Sequence, residues 1–433
     1  MKILLLKDFD PQYEFPDFQR DWNRIAEIVQ DVRRNGDEAL KKYTQSFDGA
    51  VLSSITVEPG QAAEASAQIG PDLKKAMLEA AARIRKLAFL QKELFQEREW
   101  EIEPGVWAGQ KVNPIQKAGI YVPGGRYPLI SSLLMGCLPA RVAGVEDITV
   151  CTPPGKDGRL HPALLAAAEM AGVNRICRVG GPQAVAAMAY GTESIPAVDK
   201  IAGPGNIYVN IAKKMVYGQV GIDFIAGPTE ILVIADAGAD AGWVAADLIA
   251  QAEHDERSRA VLITDSRELA QKVNSEVTDR LNQVETRDTA GKSLEKNGHI
   301  LLTDSLDEAA AAADRLAPEH LQLEVRQPEK WIGKIRNYGA AFLGGYACEV
   351  LGDYSGGVNH VLPTSRVSRY CGGLSVRSFL KTQTVLKVSE EGFRTIAPAA
   401  ERLAEAEGLA GHAHAVRARF SRNHSRVKKG DVS

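Results

Sequence analysis

The stretch Lys200–Asn206, K-I-A-G-P-G-N, decides how this chain is expected to fold. A short apolar run stops at two glycines around a proline, and a helical run follows to Val216. Glycine lets the backbone turn tightly, and the helix start then aims its free N–H groups at whatever lies above the strand end. The same order recurs upstream: Ala118–Val122 runs into Pro123-Gly124-Gly125, and Asp147–Cys151 into Thr152-Pro153-Pro154-Gly155. Arg175–Val179 runs into Gly180-Gly181, with a helix from near Gln183. Strand, glycine turn and helix in repetition predict a parallel α/β sheet. No strict G-x-G-x-x-G occurs and no acidic ribose partner is assignable, so the turns alone leave nucleotide binding and plain compact loops both open.

Downstream, Ile231–Ala235, Ala260–Thr264, Ile300–Thr303, Leu321–Val325 and Ala340–Leu343 read as further strands. Asp265-Ser266 and Asp304-Ser305 follow two of them as helix caps, and Ser305 with Glu308 makes a capping box. This echo predicts two similar units in one sheet. Upstream, residues 20–47 read as helix, with Ile25, Ile28, Val29 and Val32 on one face, a stop at Asn35-Gly36 and a second helix from Glu38. Asp72–Phe95 reads as a long amphipathic helix, so the opening hundred residues are expected to be mainly helical. After Phe379 helix is expected again, including Ile396–Leu409, in a terminal piece too small for its own core.

At 433 residues the chain exceeds one hydrophobic core. With 45% hydrophobic and 25% charged residues it reads as an ordinary soluble protein, and a formal charge of −3 gives no reason to expect nucleic acid or an anionic membrane. Arg417, Arg419, Arg422, Arg426, Lys428 and Lys429 form a basic tail read as a solvated end. The five cysteines are scattered without a C-x-x-C, which points to buried thiols and away from a disulfide framework or thiolate zinc. No cleavable signal and no apolar run of transmembrane length appear, so a cytoplasmic location is expected.

Of the eight histidines, His161, His299 and His424 read as structural or exposed, and His414 is ambiguous. Gln251 and His254 lie three apart in a stretch read as helix, on one face. Glu319 and His320 follow Pro318, which stops the preceding helix, and so fall at the sheet edge where a carboxylate and an imidazole can divide proton transfer. Asp353 and His360 share the glycine-punctuated stretch Gly352–Thr364, and His412 follows a helix expected to end near Gly408 or Gly411. Gln251, His254, Asp353 and His412 together offer two nitrogens and two oxygens, a set suited to an open catalytic zinc. Read singly, each also fits a helix terminus, a turn or a surface charge.

The stretches A-G-I-Y-V-P-G-G, G-G-P-Q-A-V-A-A-M-A-Y-G-T, A-G-P-G-N-I-Y-V, A-G-P-T-E-I-L-V-I-A-D, D-L-I-A-Q-A-E-H, A-P-E-H-L, G-D-Y-S-G-G-V-N-H-V-L-P-T and A-E-A-E-G-L-A-G-H-A follow one another along the chain. In that order they resemble the histidinol dehydrogenase family over essentially the whole length. The resemblance implies an α/β fold of two Rossmann-like parallel-sheet domains with an N-terminal helical region and a small helical C-terminal segment. It implies an extension at 1–19, a first α/β domain from 20–120 and 229–373, a second, NAD-contacting α/β domain at 121–228, and a dimer-crossing segment at 374–433.

The implied activity is oxidation of L-histidinol to L-histidine through the aldehyde, in two NAD-dependent steps, with one zinc per site in an interlocked homodimer. Carried over by motif, Gln251, His254, Asp353 and His412 are the expected zinc ligands, His412 coming from the partner chain, and Glu319 and His320 the acid–base pair. Tyr121, Gln183 and Asn206 are expected against NAD. Substrate is expected to meet Thr229, His360 and Glu407, together with Gln251, His254, His320, Asp353 and His412. Two departures stand out: Thr229 replaces the usual serine, and Ser355-Gly356-Gly357-Val358 and Ser365–Gly373, with Arg366, Arg369 and Tyr370, are atypical. They leave two alternatives, a same-family enzyme for another alcohol such as a sulfonated propanediol, and a non-catalytic metal- or nucleotide-binding homologue.

Overall fold

A computed structural model of the chain describes residues 1–10, 18–58, 60–124 and 128–421; Gly125, His424 and the basic residues from Arg422 onward lie outside these. The chain divides into one compact unit of residues 1–93 and 114–379 and another of 94–113 and 380–433.

The first unit holds two parallel sheets. One has five strands in the order Arg175–Arg178, Asp147–Thr152, Lys117–Tyr121, Lys200–Ala202, Gly221–Ile222. The other has six, in the order Lys2–Leu5, Gly298–Leu302, Arg259–Thr264, Glu230–Ala235, His320–Glu324, Ala340–Leu343. Each is wound outward from a central strand, first to one side and then to the other, so each has a switch point where the direction reverses. These points fall between Lys117–Tyr121 and Lys200–Ala202, and between Glu230–Ala235 and His320–Glu324.

Side-chain alternation explains why the six-stranded sheet is covered on both faces. Every residue of Glu230–Ala235 is buried, the pattern of a central parallel strand. Ile231 and Val233 pack with Leu248, Leu269 and Leu294 from the helices on one face. Leu232 and Ile234 pack with Ala309, Ala313 and Leu316 on the other. The echo at Asp265-Ser266 and Asp304-Ser305 is two adjacent strands of this one sheet, each leading into a capped helix: Ser266 accepts from Leu269 N and Ser305 from Glu308 N.

Some expected boundaries move. Lys2–Leu5 is no extension but an edge strand, because its backbone completes the ladder of Gly298–Leu302. The Gln19–Asp48 helix breaks at Gly36, as Asn35-Gly36 suggests, where φ is 50° and an added Cβ would meet the Glu193 carboxylate. Its apolar face, Ile25, Ile28, Val29 and Val32, joins Val185, Met188 and Ile211 over the five-stranded sheet, away from the sheet it was expected to share. A boundary between 120 and 121 would cut the strand Lys117–Tyr121.

The second unit carries a three-stranded sheet, Leu380–Val388, Val106–Pro114, Arg98–Glu103 in that order, and the helices Glu390–Ala406 and Ala410–Ser421. Leu380–Val388 stands where helix was expected, and the other two strands fall where no element was assigned. Their alternating charged residues hide a strand signal, since R-E-W-E-I-E is exposed along its whole length. The two helices meet through Phe393 and Phe420, with ring centroids 5.0 Å apart, and through Arg417 paired with Glu401 and Glu405.

Candidate active site

At the switch point of the six-stranded sheet, His320 pairs in register with Ile231, which sets Glu319 and His320 beside Thr229 and Glu230 at the strands' amino ends. Glu319 accepts hydrogen bonds from the Thr229 hydroxyl at 2.6 Å and from Glu230 N at 2.9 Å. Burial pushes its carboxyl well above the ordinary range, against the two hydrogen bonds that lower it. His320 Nδ1 lies 3.1 Å from the Glu230 carbonyl, a contact that requires the proton on Nδ1 and leaves Nε2 bare. No hydrogen bond reaches that buried Nε2. Burial lowers the His320 imidazole to about 4, so it is neutral near pH 7 and keeps the Nε2 lone pair free.

Thr229 is the hub of this edge. Its hydroxyl donates to Glu319 and accepts from Gln251 Nε2 at 2.8 Å. The amide orientation of Gln251 follows: the nitrogen is held and the carbonyl oxygen is left buried without a hydrogen-bond partner. The Ala241–Ala252 helix, capped by Asp240 at its start, carries Gln251 into place. His254 does not share that helix, as the spacing suggested; the helix stops at Ala252 and His254 follows its cap. Its Nδ1 lies 3.1 Å from the Ala250 carbonyl, and its Nε2 lies 3.9 Å from Asp353 Oδ2.

Asp353 comes from the short helix Glu349–Tyr354, between imidazoles. Its Oδ1 is 3.7 Å from His360 Nδ1, and that nitrogen is also 3.0 Å from the Asp353 carbonyl. His360 Nε2 reaches the Ser132 hydroxyl at 3.1 Å, and burial lowers the ring's proton affinity. One member of the cluster was not anticipated. Glu349, 1% exposed, points its carboxylate at His320, with Oε1 3.6 Å from Nε2, and neither oxygen accepts a hydrogen bond. Burial first, and the Asp353 carboxylate next, raise it to about 9. Its four-residue spacing from Asp353 was the available signal, since i and i+4 share a helix face. His320, Glu349 and Asp353 each offer a ligand atom within 4.8 Å of the others.

A metal fits this donor set. Gln251 has a bare buried carbonyl oxygen, His254 a nitrogen facing Asp353, and Asp353 a carboxylate unpaired with any Lys or Arg among the described contacts. Glu407 and His412 belong to the other unit, where both are exposed. His412 lies in the first turn of Ala410–Ser421, not past a helix end, because the preceding helix stops at Ala406 and Gly408 turns the chain.

At the other switch point, at the carboxyl ends of its strands, Tyr121 lies buried and its hydroxyl accepts from Gly181 N at 3.1 Å; burial raises the phenol to about 12. Gln183 is buried in the first turn of Gly181–Tyr190, its carbonyl oxygen without a partner. Asn206 caps Ile207–Val216, accepting from Val209 N at 3.1 Å. The starts of Gly181–Tyr190 and Ile207–Val216 therefore both lie at the carboxyl-end side of this sheet, with backbone N–H groups free of intrahelical partners. Arg369 and Tyr370, in the atypical segment, are exposed.

Two wound sheets, one with helix starts at the carboxyl ends of its strands and one with a buried Glu–His pair at the amino ends of its central strands, define an α/β protein with an acid–base site. The histidinol dehydrogenase family model matches residues 16–420, and the chain belongs to the histidinol dehydrogenase family. It is 47% identical over 398 residues to histidinol dehydrogenase of Methanothermobacter thermautotrophicus, covering 92% of each chain. It is 48% identical over 397 residues to that of Aquifex aeolicus, covering 91% of each. The crystal structure of histidinol dehydrogenase from Elizabethkingia anophelis superposes with a TM-score of 0.93 at 38% identity, covering 98% of this chain and 99% of that one.

Proposed function

We propose that the protein oxidises L-histidinol to L-histidine through L-histidinal, reducing two NAD per turnover. The observation that carries this reading is the meeting of a bare His320 Nε2, a proton-hungry Glu319 and the unpartnered Gln251 carbonyl in one buried cluster. In the first step His320 takes the hydroxyl proton at Nε2 while the carbinol carbon gives hydride to NAD, leaving the aldehyde. In the second, His320 returns that proton to the aldehyde oxygen while ionised Glu319 takes a proton from water as the water oxygen adds to the carbonyl carbon. The resulting diol gives a proton to His320 and a hydride to a second NAD, forming the acid. The nicotinamide carries the electrons; the chain supplies orientation and proton transfer.

Gln251, His254 and Asp353 would hold zinc, with His412 supplied across a homodimer. Bound there, zinc would act as a Lewis acid that anchors and orients the polar alcohol. His360, steadied by Ser132, and Glu407 would face the imidazole and amine ends of the substrate. The dimer reading draws support from the second unit, where Trp100, Ile102, Leu386 and Leu403 are exposed apolar side chains in a segment with little core. Tyr121, Gln183 and Asn206 would contact NAD.

Purified zinc-loaded protein, given NAD and millimolar L-histidinol, is expected to form two NADH per histidinol. Absence of NADH from histidinol would refute the reading, and NADH from 2,3-dihydroxypropanesulfonate instead would replace it with the anionic-alcohol alternative.

A further inference from the structure

Beneath the Gly203–Asn206 turn lies a set of buried polar groups that no step of the reaction uses. Lys213, on the Ile207–Val216 helix, is 1% exposed and forms an ion pair with the equally buried Asp223. Between them they hold a single residue's backbone. Lys213 Nζ donates to the Gly203 carbonyl at 3.1 Å, and Gly203 N donates to Asp223 Oδ2 at 2.8 Å. Gly203 needs that hold: its φ is 120°, and a Cβ there would lie 2.1 Å from the Tyr121 carbonyl oxygen across the switch point. The next residues are held too, because Asn210 Nδ2 donates to Gly205 O at 2.9 Å and to Asn206 O at 3.1 Å. Ala226 N donates to Asn210 Oδ1 at 3.2 Å and locks that amide in place.

A buried ion pair is a poor way to stabilise a fold, since apolar side chains of similar volume commonly do as well or better. Apolar groups cannot orient a peptide. This pair, with Asn210, does so on four backbone groups at three residues of one turn, Gly203, Gly205 and Asn206. We propose that Lys213, Asp223 and Asn210 form a clamp that presets the Gly203–Asn206 turn for NAD, acting as positioning residues through its backbone. The proposal rests on the reading that this turn meets the cofactor. A turn released from the clamp spreads over other shapes, and the apparent affinity for NAD falls by the fraction of molecules that keep the competent one.

The test compares NAD binding by calorimetry, with KM for NAD and for L-histidinol, in the full-length zinc-loaded enzyme. Lys213→Met alone leaves Asp223 charged and buried, and it is expected to lose stability. Lys213→Met/Asp223→Asn removes both charges and is expected to recover thermal stability. It still leaves the Gly203 carbonyl without its donor, so NAD binding and KM for NAD are expected to worsen about tenfold or more. KM for histidinol and kcat at saturating NAD should stay within about twofold of the parent. Asn210→Ala, which leaves the ion pair intact, should give the same NAD-selective loss, and it decides the matter if the double variant fails to fold. Parental NAD binding in either folded variant would overturn the clamp. A parent enzyme that binds no NAD would instead overturn the cofactor reading, and the clamp with it.

Discussion

Replacing Thr229 by valine removes one hydroxyl, strands the buried Gln251 amide nitrogen and takes one of two hydrogen bonds from Glu319. In the native chain that hydroxyl donates to Glu319 at 2.6 Å and accepts from Gln251 Nε2 at 2.8 Å. Gln251 is fully buried and Glu319 nearly so, which keeps water from replacing either bond. A buried amide left unsatisfied costs about 1–3 kcal/mol and the lost bond to Glu319 about 1 kcal/mol more, so Thr229→Val should destabilise the metal-free protein by about 2–4 kcal/mol. Thr229→Ser keeps the hydroxyl and should lose about 1 kcal/mol or less. The valine variant should also retain zinc about 10–100-fold less well, because Gln251 loses the bond that points its carbonyl oxygen. A third consequence concerns protons. The hydroxyl lowers the Glu319 carboxyl, so its loss should raise that group further and move the acid-side rise in activity of the aldehyde step, which follows ionisation of this base, to higher pH. Urea unfolding of metal-free protein, chelator competition for zinc, and the pH profile of NADH formation from histidinal read these effects separately. If the valine and serine variants coincide in all of them, the hub role of Thr229 is wrong.

Glu230 supplies a pH prediction. Burial raises its carboxyl from 4.5 to about 7 in the folded chain. The folded state therefore binds more protons than the unfolded state between those values, and the associated stability is full below 4.5 and lost as pH rises through 7. That window corresponds to about 3 kcal/mol, which Glu230→Gln should abolish; parallel stability–pH curves for the two proteins would refute the assignment. His412→Ala should abolish zinc retention and leave a dimer, and full metal occupancy would remove His412 from the ligand set. Mixing that inactive variant with Glu319→Ala/His320→Ala should restore some NADH formation. Demonstrated subunit exchange without activity would end the shared-site reading.

Local chemistry made much of this molecule legible. Glycine turns after apolar runs marked strand ends at Tyr121, Arg178 and Ala202, because a tight turn needs glycine whatever surrounds it. The Ser266 and Ser305 caps were readable for the same reason. The exposed strands Arg98–Glu103 and Leu380–Val388 were not, since a strand that buries little shows no apolar alternation.

The sequence by itself determined two wound parallel sheets, the residue types of the candidate site and the family. Tertiary structure alone decided which sheet the opening helix covers, since its apolar face would suit either. It also decided that Thr229 links Gln251 to Glu319, and that Glu349 faces His320. Those contacts join positions up to 90 residues apart, through the pairing of Glu230–Ala235 with His320–Glu324. Strand register across a switch point depends on the packing of the whole sheet, and no local pattern encodes it.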